Sequence, residues 1–288
     1  MTELILGTAT FSTGYGVANQ GKILIKQEAR EVILTAQLLG IKEFDTAPAY
    51  GAAEEYLGEL LDMNLEPKIS SKISKENAQS VELILQSVRR TLFQTRTSKL
   101  KNIYLHDPEA LVGLEASETM AGLKELIAMD LVEHIGISVY SLESVLRAKE
   151  LFPELSVFQV PENICDRRML NSRELLDLKR GGDQFIVRSV FLQGLLLMPL
   201  DKIPNGLEAA RSSVSQLLAF SDSNGVSPLN LCLGYAQAIP WANGLVIGAT
   251  TALQLREIVE SRIQLPAGWD LKIDRLPEEV LDPRRWPK

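Results

Sequence analysis

The chain is expected to fold as a closed (β/α)8 barrel, a single α/β domain, on three observations. Eight short apolar runs alternate along it with segments of helical periodicity, the count of a parallel barrel of the TIM type. Asp45, Tyr50, Lys72 and His106 each close, or follow by a few residues, one of the early runs. The first run passes into Gly7-Thr8-Ala9-Thr10, without the G-x-G-x-x-G and immediate helix that an open doubly wound sheet, the competing topology, would show.

Each unit follows from its pattern. Residues 4–10 read as a strand, and 26–39 as a helix with Ala29, Val32, Ile33, Ala36 and Leu39 on one face. Strand 43–46 precedes helix 53–63, strand 69–73 precedes helix 77–93, and strand 102–105 precedes helix 115–129. Strand 134–139 leads to helix 142–151, and strand 157–160 to helix 170–179. Strand 185–189 comes before helices near 207–220 and 228–238, and strand 244–247 before helix 252–260. No linker rich in Gly, Ser or Pro divides residues 1–288. Within the tail, 262–288, four prolines accompany Trp269 and Trp286, so it should wrap the barrel as an irregular lid or base.

Composition narrows the function classes. Of 288 residues 45% are hydrophobic and 23% charged, ordinary for a folded domain, and the net charge of −7 gives no electrostatic footprint for nucleic acid. Cys165 and Cys232 are too few for a disulfide framework and lack metal-type spacing, which fits a reducing, cytoplasmic compartment. The N-terminus does not read as a leader, and no apolar run approaches the roughly 20 residues that cross a bilayer. Residues 190–200 are the most apolar stretch, yet Gln193, Gly194 and Pro199 interrupt it. A soluble protein without a membrane partner is expected, and nothing in the sequence signals an oligomeric state.

A parallel barrel brings the C-terminal ends of its strands to one face, where active sites form. Asp45 alone would suit a turn or cap, and Tyr50 alone a packed surface aromatic. Lys72 lies in Ser70-Ser71-Lys72-Ile73-Ser74, whose alternation puts Ser70, Lys72 and Ser74 on one side. A lysine is ordinary on an edge strand, but a closed barrel has no edge, so an inward Lys72 needs an anion beside it. His106 alone could be a hydrogen-bonded structural histidine. His134, the other of two histidines, begins a strand, belongs at the opposite face and is assigned no role. An acid, a phenol, an amine and an imidazole at one mouth suggest proton transfer to or from an oxygen.

With these residues in order, the chain resembles the aldo-keto reductases. The matching features are Leu6-Gly7-Thr8, Asp45 with Tyr50-Gly51, Lys72, His106, Gly136-Ile137-Ser138, Gln159 and the junction from Ile247-Gly248 to Glu257. The wording of residues 188–196 looks like a bacterial branch associated with sugar and surface-polysaccharide metabolism. The resemblance implies hydride transfer between NADPH or NADH and a small-molecule carbonyl, possible on a sugar-like substrate, without metal. By it Tyr50 is the general acid, Lys72 lowers its pKa, Asp45 pairs with Lys72, and His106 orients the carbonyl. A free phenol titrates near 10. Bringing it about 2 units closer to neutrality takes roughly 2.7 kcal/mol, and one ammonium at about 4 Å could supply about 4 kcal/mol. The implied cofactor contacts are Gly7, Thr8, Asp45, Ser138, Gln159, Arg188, Ser189, Phe191, Gln193, Gly248, Thr250, Thr251, Gln254 and Glu257. Phe11 and Tyr15 are expected pocket walls beside Tyr50 and His106.

The sequence departs from that family's pattern on the cofactor side. Gly248, Ala249 and Gln254 stand where polar or basic groups for the adenosine 2′-phosphate are usual, and Ile258 stands for Asn. Backbone N–H groups near Thr250 and Thr251 still offer a phosphate site, unless Thr251 merely caps its helix. Weak discrimination between NADPH and NADH follows. Val139 replaces a usual Asn, and Arg188 falls where an aromatic commonly stacks on nicotinamide, so Arg188 stacks there or binds an anionic substrate group. Two other functions compete: a catalytically weak regulatory or cofactor-sensing subunit, and a lyase or isomerase using Lys72 as a Schiff-base amine.

Overall fold

Eight parallel strands pair in chain order and the eighth returns to the first, so the sheet has no edge and the open-sheet alternative is excluded. The strands are β1 (Glu3–Gly7), β2 (Glu43–Asp45), β3 (Lys68–Ile73), β4 (Leu100–Leu105), β5 (Val132–Ser138), β6 (Val157–Pro161), β7 (Gln184–Arg188) and β8 (Gly244–Ile247). The computed structural model describes residues 2–19, 21–111, 115–261 and 263–286.

Between them run α1 (Lys26–Leu38), α2 (Ala53–Leu60), α3 (Val81–Thr95), α4 (Ala116–Ala128), α5 (Leu142–Leu151), α6 (Arg173–Arg180), α7 (Arg211–Asn224) and α8 (Pro228–Gln237), with α9 (Ala252–Glu260) after β8. Several expected helices begin later than their apolar pattern because a hydroxyl sets the start. Ser80 Oγ accepts from Leu83 N and Ser172 Oγ from Leu175 N, so α3 and α6 start one residue after each serine. Residues Glu76–Ala78 and Glu208–Ala210 form separate 3-10 turns ahead of α3 and α7. The helix expected over 53–63 stops at Leu60, and Asp62 caps a short turn over Met63–Leu65. The first strand ends at Gly7, where Thr8 N donates to Asp45 O at 2.9 Å and Phe11 N turns back to Thr8 O.

The core sits mainly between sheet and helices. Leu6, Phe44, Ile69, Ile103, Ile137, Phe158, Val187 and Leu245 face outward and pack against the helical ring. Ile5, Tyr104, Val157 and Ile186, with Val246, form a smaller cluster. Gly136 permits the close approach of β5 to β6: a Cβ there would stand 1.8 Å from Val157 O. Above these apolar residues the inward positions turn polar, with Asp45, Lys72 and Gln159 all buried.

The tail is less irregular than expected, with short helices over Trp269–Lys272 and Glu278–Leu281. It runs along α7, through Gln216 Nε2 donating to Asp274 Oδ2, and rises to the loop after β6, where Leu276 N donates to Cys165 O. Its residues 262, 287 and 288 lie outside the described part, as does residue 1 of the domain.

Candidate active site

Strand ends and the turns after them gather the four candidates at the C-terminal mouth. Asp45 and Lys72 point inward from β2 and β3, and Lys72 Nζ donates to Asp45 Oδ1 at 2.6 Å and to Thr46 O at 2.9 Å. The lysine is therefore an interior half of an ion pair whose side chains are 2% and 6% exposed. Gln159 Nε2, from β6, donates to the other carboxylate oxygen at 2.8 Å. Burial favours neutral Lys72, but Asp45 and the Tyr50 hydroxyl outweigh it and raise the ammonium above its usual range.

Tyr50 closes a 3-10 turn over Pro48–Tyr50, right after β2. Gly51 follows at φ 63, and a Cβ there would lie 2.7 Å from Ser12 Oγ. Only glycine lets the chain leave Tyr50 in that direction. The Lys72 ammonium stands 5.1 Å from the Tyr50 ring centroid. His106 is fixed by its own N–H, which donates to Ile73 O at 2.9 Å. Its ring opens to solvent through the mouth, yet the protein around it depresses its pKa, first by desolvation and then through the Lys72 charge. His106 is thus neutral at neutral pH, with one N–H to donate.

The loops after β1 and β7 close over part of this mouth. Residues Val17–Asn19 meet Leu192–Leu197, and Gly194, at φ 87, lets Ala18 come within 2.5 Å of where its Cβ would be. Tyr15 belongs to this belt. It is 43% exposed as a residue, but its hydroxyl lies among protein groups: desolvation and then Tyr50 push it up to about 12, while Gln193 hydrogen-bonds it. Phe11 corrects the expectation placed on it. It is fully buried in the core under the belt, too deep to wall a pocket.

The expected cofactor residues divide by location. Gly7 lies at the tip of β1, packed against Val246, and Thr8 is fully buried with its hydroxyl donating to Asp45 O at 3.1 Å. Thr8 therefore braces the end of β2. Ser138 and Gln159 are adjacent in the β5–β6 register, and neither Ser138 Oγ nor Gln159 Oε1 has a recorded hydrogen bond among the described residues. That donor and acceptor pair fits a carboxamide. Ser189, Phe191 and Gln193 lie half-buried along the β7 loop, with Ser189 and Gln193 at positive φ.

Gly248, Thr250, Thr251, Gln254 and Glu257 line the β8–α9 junction. Thr251 Oγ1 caps α9 through Gln254 N at 3.1 Å, and Gln254 Oε1 accepts from Thr250 N and Oγ1, both at 2.9 Å. The Thr250 N–H expected for phosphate is thus already engaged, leaving those of Thr251, Ala252 and Leu253 at the start of α9. No Lys or Arg occurs from 248 to 255.

Two residues at the mouth escaped sequence reasoning. Tyr140, two residues past β5, lies under the guanidinium of Arg188 at 4.1 Å and under that of Arg284, from the tail, at 3.8 Å. Position after a strand could have flagged Tyr140. Nothing local marks Arg284, 144 residues further along.

A cavity of about 770 Å3 opens at the opposite end, lined by Glu3, Lys42, Glu43 and Lys68 among others. Lys101 pairs with Glu43 there, and burial and the neighbouring Glu3 carboxylate raise the Glu43 pKa while Lys101 lowers it. His134 sits at that end as expected, its Nε2 3.1 Å from Gln184 Nε2. Among the described residues no group of His, Cys, Asp and Glu could hold a metal ion, and no helix is long and apolar enough to cross a membrane.

Solved structures share the architecture. The Pseudomonas aeruginosa protein PA4992, assigned to the aldo-keto reductases, is 24% identical over 93% of this chain and 90% of its own, with a TM-score of 0.66. The thermostable aldo-keto reductase Tm1743, solved with the inhibitor epalrestat, is 21% identical over 94% and 93%, with a TM-score of 0.73. At these identities the likeness speaks for the barrel alone. No curated protein sequence matches. A model described as the Aldo/keto reductase family matches residues 3–268, and the chain belongs to that family of NAD(P)H-dependent oxidoreductases, which reduce carbonyl groups.

Proposed function

We propose that this protein reduces an aldehyde or ketone using NADPH or NADH, with Tyr50 as the general acid. The observation that carries the reading is the buried Asp45–Lys72 pair set against the Tyr50 hydroxyl at the barrel mouth. When bound, a reduced nicotinamide supplies the hydride; Ser138 and Gln159 are the residues suited to hold its carboxamide. Tyr50 gives its proton to the carbonyl oxygen, and Lys72 stabilises the phenolate left behind. Taking the 5.1 Å from the ammonium to the Tyr50 ring centre as an upper bound on the separation, one positive charge at an effective dielectric near 20 contributes at least roughly 3 kcal/mol to that anion. Asp45 keeps the ammonium charged and in place, while neutral His106 donates its N–H to the carbonyl and orients it.

The polar mouth, with Tyr15, Tyr140, Arg188 and Gln193, supports a polar, sugar-like carbonyl compound over a plain alkyl aldehyde. Residues 248–255 carry no basic side chain, Arg256 following only in the second turn of α9, and the Thr250 N–H is engaged, which supports use of both dinucleotides. A Schiff-base role needs a neutral amine, which the pairing of Lys72 with Asp45 opposes.

The test is transfer of label from 4-deuterated NADPH or NADH to a panel of aldehydes and ketones, read by mass spectrometry. Deuterium on the new carbinol carbon is expected. Cofactor binding without transfer would instead establish the regulatory reading, and a borohydride-trapped adduct on Lys72 the lyase reading.

A further inference from the structure

We propose that Arg188, positioned through Tyr140 by Arg284, is a receptor for an anionic group, carboxylate or phosphate, on the carbonyl substrate. The inference deepens the reductase reading and rests on it for the identity of the reacting group.

Arg188 is the last residue of β7 and projects onto the rim that holds Tyr50, Lys72 and His106. Its charge reaches both the His106 ring and the Tyr15 hydroxyl, so it faces the same space as the proposed acid. Several cations of the barrel have a carboxylate: Lys72 has Asp45, Lys101 has Glu43, Lys149 has Asp183, and Arg168 has Asp166. Arg167 and Lys179 instead spend their donors on backbone carbonyls away from the mouth. Arg188 has no carboxylate in a salt bridge among the described residues and, unlike those two, stands at the mouth. Among the described residues it donates only to neutral acceptors, Nη1 to Ser189 Oγ at 3.3 Å and Nη2 to Val139 O at 3.2 Å. A guanidinium carries five N–H donors, so its planar fork keeps donors for a bidentate anion.

The neighbouring charges sharpen the point. Arg284 lies over the same Tyr140 ring, so the two guanidinium groups are at most roughly 8 Å apart, within one Debye length at physiological salt. Asp282 grips Arg284 through Nε and Nη2 at 2.9 and 2.8 Å, and Asp107 also faces Arg284. Asp282 also lies within reach of the Arg188 charge, but its side-chain hydrogen bonds all go to Arg284. Arg188 is held over Tyr140 and has no carboxylate in direct contact, so its own donors remain open to an anion.

The test compares kcat/KM for 4-carboxybenzaldehyde, 4-formylphenyl phosphate and the neutral ester methyl 4-formylbenzoate, in wild type, Arg188→Ala, Arg188→Lys and Arg284→Ala. Wild type should prefer the better anion over the ester at least 10-fold, and the better anion identifies the group. Arg188→Ala should lower that ratio at least 10-fold, chiefly through KM, with Arg188→Lys between them and Arg284→Ala closer to wild type. A wild-type ratio of one or less, or a ratio unmoved in Arg188→Ala, would overturn the proposal. Calorimetric titration of 4-carboxybenzyl alcohol and of phenyl phosphate onto the protein without cofactor separates it from the reductase reading. If no aldehyde is reduced but either anion binds at least 10-fold more weakly to Arg188→Ala, the receptor stands and the redox reading fails. Equal binding by both proteins, or none by wild type, would overturn the receptor. Loss of cofactor affinity in Arg188→Ala with an unchanged anion ratio would assign Arg188 to the dinucleotide and likewise overturn it.

Discussion

Replacing Lys72 by Met separates what the buried ion pair does for the fold from what it does for chemistry. Methionine keeps the length of the side chain and removes its charge, leaving Asp45, 4% exposed, with Gln159 as its remaining side-chain donor. Breaking one half of a buried pair costs about 3–5 kcal/mol, because the orphaned charge stays buried. The same change removes the roughly 3 kcal/mol by which an ammonium about 5 Å away favours a phenolate, which is about a 200-fold loss in kcat. Adding Asp45→Asn removes the stranded carboxylate, so the double variant should regain most of its stability and none of its rate. Thermal unfolding and steady-state turnover of one carbonyl substrate, measured on wild type, Lys72→Met and the double variant, read both effects. A Lys72→Met protein within threefold of wild-type kcat, or a double variant whose rate returns with its stability, would refute the assignment of Lys72 to phenolate stabilisation.

Three further outcomes follow from the same structure. Glu162, fully buried after β6, accepts from Tyr235 Oη at 2.6 Å, and desolvation raises its carboxyl from 4.5 to about 8. Its contribution to stability is full below about pH 4.5 and lost as pH rises through 8. The change is on the order of 5 kcal/mol, so Glu162→Gln should flatten the fall in Tm between pH 5 and pH 9; an equal fall in both proteins would contradict this. A Cβ on Gly58 would stand 2.1 Å from Gln94 O where α2 meets α3, so Gly58→Ala should lower Tm by roughly 2–4 °C per kcal/mol of an expected 1–3 kcal/mol of overpacking. The kcat/KM values for NADPH and NADH should differ by less than about 1,000-fold, roughly 4 kcal/mol, since residues 248–255 carry no basic side chain.

The barrel could be read from the sequence because its strands and helices alternate in apolar period, and closure then required a counterion for Lys72 inside a strand. Asp45, Lys72 and Gln159 converge as their strand positions imply. Helix starts were less legible, since a serine at position 80 or 172 overrides the apolar pattern that continues through it. Phe11 was misread because an aromatic in a loop carries no sign of whether the loop folds outward or down onto the core, and here Phe11 N turns back to Thr8 O. The layer over Tyr140 was invisible: Arg284 reaches it only because the tail climbs past α7, a path set by contacts such as Arg167 Nη2 donating to Ile273 O. Glu162 gives no local signal either: its carboxyl is raised by burial that the neighbouring sequence does not announce, and its partner Tyr235 lies 73 residues away.

The account turns on Tyr50 as the proton donor, and single-turnover reduction by Tyr50→Phe tests that most directly. With NADPH or NADH bound at unchanged affinity, the phenylalanine variant should reduce the carbonyl 100- to 10,000-fold more slowly, about the worth of a positioned acid. A variant that keeps its rate within 10-fold of wild type while His106 and Lys72 remain in place would contradict it.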